Sequence, residues 1–124
     1  MKKILFLDDE ADLLKVSSIR LRKTGYEVFE ATNGQEALDQ ARSKRPDLIV
    51  LDVFLPVMNG DEVAAILKRD EELKRIPIIL ISADSKTLAE RALKSGADDF
   101  LAKVFDSGEL IGRVRKHLGP EDGV

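Results

Sequence analysis

Five short apolar runs, each followed by a segment of helical period, restrict what this chain can fold into more tightly than any other feature. The runs are Ile4 to Leu7, Glu27 to Glu30, Leu48 to Leu51, Ile78 to Ile81 and Asp99 to Ala102. Their length and their β-branched and aromatic content suit strands. Three of them are continuously apolar, as in strands covered on both faces.

The segments between them have recognisable faces and stops. The first places Leu13, Leu14, Val16 and Leu21 on one side and reaches Gly25, which can adopt the left-handed conformation that ends helices. Asn33 with Glu36 opens a second helix as a capping-box variant, with Ala37, Leu38 and Ala41 inward. Val63, Ile66 and Leu67 mark a third. Ser85 is predicted to cap a fourth, with Leu88, Ala89, Ala92 and Leu93 inward. Asp106 with Glu109 opens the last, which buries Leu110, Ile111, Val114 and Leu118 before Gly119 and Pro120 stop it.

Alternating strands and helices imply a parallel sheet with right-handed crossovers and helices on both faces. The expected architecture is a flavodoxin-like, doubly wound (βα)5 three-layer sandwich with a five-stranded parallel sheet in the order 2-1-3-4-5. A chain of 124 residues suits one domain with a real core, assigned to residues 1–119, with 120–124 as a flexible tail or linker stub.

No apolar stretch approaches the roughly 20 residues that span a bilayer. Met1-Lys2-Lys3 leads into the first strand with no signal-peptide core, so a cytoplasmic location without a membrane partner is expected. The absence of cysteine excludes disulfides, thiolate metal sites and thiol nucleophiles. A net charge of −3 gives no reason to expect direct nucleic-acid binding, and Arg113, Arg115 and Lys116 read as a solvated helix face.

Asp8 and Asp9 follow the first strand, and Asp52 follows the third. The strand order sets these two strands side by side, and ligands in open parallel sheets bind at the carboxyl ends of strands, so the three acids converge on one crevice. Crowded carboxylates repel and call for a hard cation such as Mg²⁺. Singly, each acid reads as a turn or cap residue; together they read as a metal site. Ser82 after the fourth strand adds a hydroxyl at the same edge, and Lys103 after the fifth adds an ammonium. Carboxylate, metal, hydroxyl and ammonium form a phosphate-handling set.

The segments LFLDDE, DLIVLDVFLPVMNG, IPIILISA and GADDFLAKVF, in that order along essentially the whole chain, resemble the receiver domain of bacterial two-component response regulators, chemotaxis regulators among them. That resemblance implies a phosphorylation-dependent signalling switch, which assists its own phosphorylation and dephosphorylation without being an enzyme of the usual kind. Asp52 matches the phosphoacceptor, a carboxylate nucleophile served by a sensor histidine kinase, a phosphotransfer protein or a small donor such as acetyl phosphate. Asp9 and Asp52, with the backbone carbonyl of Phe54, match direct ligands of Mg²⁺ or Mn²⁺, and Asp8 matches a group acting through a metal-bound water. Ser82 matches the hydroxyl that bonds the phosphoryl group, Lys103 its pairing cation, and Phe100 the aromatic switch position. The surface of the fourth helix, fifth strand and fifth helix, with Lys94, Phe100, Arg113 and Lys116, is the implied contact for a downstream protein. Either a monomer or a weak phosphorylation-dependent dimer is expected.

Some residues depart from the family pattern. Val104 follows Lys103 where most relatives have a cis proline. A cis bond before valine costs about 3 to 4 kcal/mol, so either a trans bond with a locally moved lysine or a conspicuously strained one is expected. Phe100 lacks the hydroxyl of the more usual tyrosine. Phe54 and Asp84 flank the approach of an attacking water, which a ring would screen and an acid would orient. His117 lies outside the site and is explained by the dipole of the last helix.

Two other chemistries fit less well. A Mg²⁺-dependent aspartate hydrolase of the haloacid-dehalogenase type needs a second aspartate where this chain has Phe54. A flavin or nucleotide binder would meet repulsion from Asp8-Asp9-Glu10. A receiver-like interaction module that does not respond to phosphorylation is the remaining alternative, kept open by Val104.

Overall fold

The computed structural model describes residues 1–119. In chain order the elements are β1 (Lys3–Leu7), α1 (Ala11–Thr24), β2 (Glu27–Ala31), α2 (Gly34–Lys44), β3 (Leu48–Asp52), α3 (Gly60–Arg69), β4 (Ile78–Ser82), α4 (Leu88–Ser95), β5 (Asp99–Ala102) and α5 (Ser107–Leu118). The five strands form one parallel sheet in the expected order β2-β1-β3-β4-β5. The tail expected at 120–124 lies outside the described residues. No helix among the described residues is long and apolar enough to cross a membrane.

Alternate residues of each central strand serve opposite faces of the sheet. Leu5, Leu7, Ile49, Leu51, Ile78 and Leu80 join Ala37, Leu38, Val63, Leu67, Leu88 and Ala92, from α2, α3 and α4. Ile4, Phe6, Leu48, Val50, Ile79 and Ile81 meet Leu14 and Leu21 of α1 and Leu110 and Val114 of α5. With both faces covered, the central strands are apolar throughout, and their polar residues fall at the strand ends.

Several helix ends follow the sequence. Gly25 ends α1 at φ 111°, Asn33 accepts from the Glu36 N–H at 2.9 Å, and Asp106 with Glu109 completes a capping box on α5. Ser85 does not cap α4. The Asp84 N–H donates to Ser82 Oγ and the Lys86 N–H to Asp84 Oδ1, so turns occupy that stretch and the helix opens at Leu88 with Thr87 at its N-cap. The inner faces also shift from expectation. Leu14, Ser17, Ser18 and Leu21 are buried on α1, and Leu88, Ala92 and Ser95 on α4, each at i, i+3 or i+4, i+7 spacing. Val16, Ala89 and Leu93 fall off those stripes and are exposed, as is Ile66 on α3, where Val63, Ala64 and Leu67 face inward.

Two polar clusters fasten the outer layers. Asp99 of β5 accepts from Arg113 Nη1 at 2.8 Å and lies 2.8 Å from His117 Nε2, with Lys116 Nζ at 3.4 Å. His117 therefore pairs across to the sheet instead of merely facing its own helix dipole, and two of the late basic residues are ion-paired to the same acid. Burial disfavours the Asp99 charge, but His117, the Phe100 N–H, Arg113 and Lys116 outweigh it and hold the carboxyl below its usual range. On the other side, Lys68 Nζ donates to the carbonyls of Lys74 at 3.1 Å and Ile76 at 2.9 Å, and sits 2.7 Å from Asp98 Oδ2. Asp98 Oδ2 in turn accepts from the Ile78 N–H at 2.8 Å, which fixes the entry to β4.

Replacing Lys68 by Met would keep the stem but take the ammonium from two carbonyls and leave Asp98 with only the Ile78 N–H. A charged hydrogen bond is worth about 1.5–3 kcal/mol, and the partial exposure of Asp98 argues for the lower part of that range. Urea unfolding of Lys68→Met is expected to show a loss of about 2 kcal/mol; an unchanged midpoint would show that the cluster contributes nothing.

Candidate functional site

The site is built at the carboxyl edge of the sheet from residues whose positions the strand ladder sets. Asp52 is the last residue of β3, in register with Ile81, and Ser82 is the last residue of β4, in register with Ala102. Asp8 follows β1, its N–H donating to the Ala31 carbonyl at 3.2 Å. Lys103 follows β5, its N–H donating to the Ser82 carbonyl at 2.9 Å. Four strands thus deliver two acids, a hydroxyl and an ammonium to one end.

Lys103 Nζ lies 3.0 Å from Asp8 Oδ2, 3.0 Å from Asp52 Oδ2 and 3.1 Å from Glu10 Oε1. Asp8 is fully buried and Asp52 nearly so, while Glu10 is mostly exposed. The Lys103–Val104 peptide is cis, and the lysine reaches the acids; the expected alternative of a trans bond with a moved lysine is not adopted. Val104 itself is exposed.

Asp9 follows β1 as expected but stands apart from the close carboxylates. Oxygens of Asp8, Glu10 and Asp52 lie within 4.8 Å of one another, whereas Asp9 is exposed and outside that set. The cause is local. Asp8 Oδ1 accepts from the Glu10 N–H at 2.9 Å, a turn closed by an aspartate onto the backbone two residues on, which leaves Asp9 at the tip and returns Glu10 toward the crevice. Glu10 occupies the N-cap position of α1, its carbonyl accepting from the Leu14 N–H at 3.0 Å, but its side chain makes no cap bond, so its carboxylate is free to meet Lys103. The signal for it was present in the sequence as an Asp two residues before a Glu at a helix start. Hard carboxylate oxygens gathered this closely, among them two buried ones, fit a divalent cation such as Mg²⁺.

The loop after Asp52 is shaped by close backbone approach. The Val53 N–H donates to the Ile81 carbonyl at 2.9 Å and the Gly60 N–H to the Val53 carbonyl at 2.7 Å. A Cβ on Gly60 would lie 2.0 Å from the carbonyl oxygen of Asp52, so only glycine fits there. Between them, Val57 takes a positive φ of 71°, with the Met58 N–H donating to the Pro56 carbonyl at 2.8 Å in a three-residue turn. Phe54, also in this loop, is partly exposed.

Ser82 is buried, and its Oγ accepts from the Asp84 N–H at 3.1 Å, leaving its own proton to donate elsewhere. Phe100 lies at the surface beside a groove of about 290 Å³ that it lines with Ala89, Ala92, Leu93 and Ala97.

Electrostatics distinguish the two buried partners. Burial pushes the Asp52 carboxyl up; hydrogen bonding to Lys103 opposes this, Asp8 adds to it, and the result is about 7 against an ordinary 3.8. Burial disfavours the Lys103 ammonium, but Asp8, Asp52 and Glu10 outweigh it and hold the proton more firmly than on an ordinary lysine. The lysine is therefore charged throughout the neutral range, and Asp52 ionises late.

Comparison with known proteins bears on the same residues. Residues 4–115 match the family described as the response regulator receiver domain. The chain is 38% identical over 122 residues to the DNA-binding response regulator MtrA of Mycolicibacterium paratuberculosis, covering 98% of this chain and 53% of that protein. It spans about half the length of the curated relatives it matches. Among solved structures it is similar to the chemotaxis response regulator CheY4 of Vibrio cholerae, with 31% identity, a TM-score of 0.88 and coverage of 94% of this chain and 98% of that one. It is also similar to the response regulator TrrA of Thermotoga maritima, solved in complex with Mg²⁺ and BeF, with 35% identity, a TM-score of 0.85 and coverage of 94% and 98%.

A raised carboxyl pKa means that the folded state holds the Asp52 proton more firmly than the unfolded chain does. The contribution of Asp52 to stability therefore falls as pH rises from about 3.8 to about 7 and is flat above that. Unfolding without divalent metal should show wild type losing stability relative to Asp52→Asn across that window. A difference between the two proteins that does not vary with pH would contradict the raised value.

Proposed function

Because this chain belongs to the response regulator receiver domain family, which serves two-component signalling, we propose that Asp52 is its phosphoacceptor and that the domain works as a phosphorylation-dependent switch. The supporting observation is the meeting of Lys103 with Asp8 and Asp52 at 3.0 Å, with all three side chains almost wholly buried. An Oδ oxygen of Asp52 would attack the phosphorus of a phosphohistidine or of acetyl phosphate, while the bond from phosphorus to the donor's nitrogen or oxygen breaks and the electron pair leaves with the donor.

Phosphoryl transfer asks a protein chiefly for positioning and for neutralisation of oxygen charge. Lys103 provides a permanent positive charge beside the acceptor. Ser82 Oγ, at the end of the adjacent strand, has a free proton to donate to a phosphoryl oxygen. Asp9, Asp52 and the Phe54 carbonyl would hold Mg²⁺ directly, with Asp8 acting through a metal-bound water and Glu10 at the rim of the acidic group. When bound, that ion neutralises charge on the phosphoryl oxygens. Mn²⁺ carries the same charge and prefers the same oxygen donors.

The added negative charge is the signal. Drawn toward it, Ser82 would carry the β4–α4 turn along, through the bond it accepts from Asp84. Phe100, at the surface beside α4, would then exchange its place in the groove for a more buried one. The face of α4, β5 and α5, with Lys94, Phe100, Arg113 and Lys116, would meet the downstream protein. A histidine kinase or phosphotransfer protein in the cytoplasm would supply the phosphoryl group, and the protein would act as a monomer or a weak phosphorylation-dependent dimer. MtrA is named as a DNA-binding regulator, and any such output in this protein would belong to residues beyond the receiver domain.

Intact mass after incubation with Mg²⁺ and acetyl phosphate is expected to show one added phosphoryl group on the wild type and none on Asp52→Asn. No gain in the wild type would favour the interaction module that ignores phosphorylation, and equal gain in the variant would place the acceptor elsewhere.

A further inference from the structure

Arg91 of α4 contributes no group to the phosphoryl pocket, yet its side chain touches three separate parts of the fold. Its Nη1 donates to Asp61 Oδ2 at 2.9 Å, in the first turn of α3. Its Nε donates to Thr87 Oγ1 at 3.2 Å, at the N-cap of its own helix. The guanidinium carbon lies 5.0 Å from the centroid of the Phe54 ring, in the loop that leaves Asp52.

These contacts are neither fully exposed nor redundant with the core. The Arg91 and Asp61 side chains are 29% and 21% exposed, so the pair is screened less than a surface ion pair. Deeper down, Leu88 and Ala92 pack with Val63, Ala64 and Leu67. On the outer side, α3 and α4 leave a groove of about 420 Å³ lined by Asp61, Glu62, Thr87, Glu90, Arg91 and Lys94. Arg91 spans that groove. A planar guanidinium bonded along its edges presents a fixed face, and an aromatic ring against that face is held by attraction between cation and π-electrons.

We infer that Arg91 is a positioning residue that locks the Phe54 loop to α4, so that the metal-holding end of the site and the helix of the output face share one restraint, a role that rests on reading the Phe54 carbonyl as a ligand. The Phe54 peptide is then held at two points, by β3 through Asp52 and Val53, and by α4 through its ring. Linkage makes the coupling reciprocal: Mg²⁺ bound at the carboxyl edge steadies the first turn of α4, and loosening that turn weakens metal binding. This route runs beside the one through Ser82 and Phe100 and uses neither.

The test is Mg²⁺ titration by calorimetry on the full chain, with amide hydrogen exchange along α4, for wild type, Arg91→Met, Arg91→Lys, Phe54→Leu and the double variant Phe54→Leu/Arg91→Met. Arg91→Met is expected to weaken Mg²⁺ binding about three- to tenfold and to abolish the Mg²⁺-dependent protection at the start of α4, with Arg91→Lys falling between. In the Phe54→Leu background the same change should cost less than about twofold, because the ring it grips is gone. Should Arg91→Met fail to fold, Arg91→Lys carries the comparison.

Unchanged affinity and unchanged α4 protection in Arg91→Met, beside a wild type that binds Mg²⁺, would overturn the coupling alone. An identical loss with or without Phe54 would also overturn it, by removing the ring from the path. A wild type that binds no Mg²⁺ would overturn the metal-site reading and the coupling with it.

Discussion

An ammonium wedged among three carboxylates is the contact on which the rest of this structure depends. Asp8 and Asp52 are almost wholly removed from water, and a buried carboxylate left without a partner costs several kcal/mol. Lys103 answers both, and Glu10 closes the outer side. For that contact to exist, β1, β3 and β5 must all end at the same edge, although β5 lies on the far side of β4 from β3. The flanking apolar layers hold the strands in that register, so the core serves the site by fixing where strands stop.

The same contact explains why the site is poised for chemistry. Asp52 is the acid whose charge the pocket disfavours, with a pKa raised to about 7, while Lys103 keeps its proton throughout the neutral range. An incoming phosphoryl group adds negative charge where a cation is already positioned and little water competes. The surrounding loops are correspondingly exacting: Gly60 passes against the Asp52 carbonyl where no side chain fits, and the Ser82 hydroxyl is already engaged by the turn that leads into α4. In the proposed function, binding, modification and readout therefore share backbone segments and are not separate parts.

Much of this was legible in the sequence because apolar runs and their polar terminators are short-range signals. The strands were placed to within a residue, and the sheet order followed from alternation and handedness. Asp52, Ser82 and Lys103 lie at the strand ends the order predicted. What escaped depends on side chains folding back on the backbone. Asp8 closing a turn onto Glu10 leaves Asp9 outside the group of close carboxylates and Glu10 inside. Turn bonds at Ser82 and Asp84 delay α4 by two residues and deny Ser85 its cap. His117 meets Asp99, eighteen residues away, which no local pattern announces. Arg91 shows no helical signal for a partner in the Phe54 loop, since that contact exists only once β3 and α4 are packed.

The central claim is that Lys103 and a divalent cation neutralise the same acidic cluster, so that the ammonium already in place reduces what the ion adds to stability. The most direct measurement is urea unfolding of wild type and Lys103→Met with and without Mg²⁺, since a ligand bound to the native state raises stability in proportion to its affinity. The account predicts that Lys103→Met is the less stable protein without metal and gains more from Mg²⁺ than wild type does, because no ammonium competes. An equal or smaller gain in the variant would contradict it.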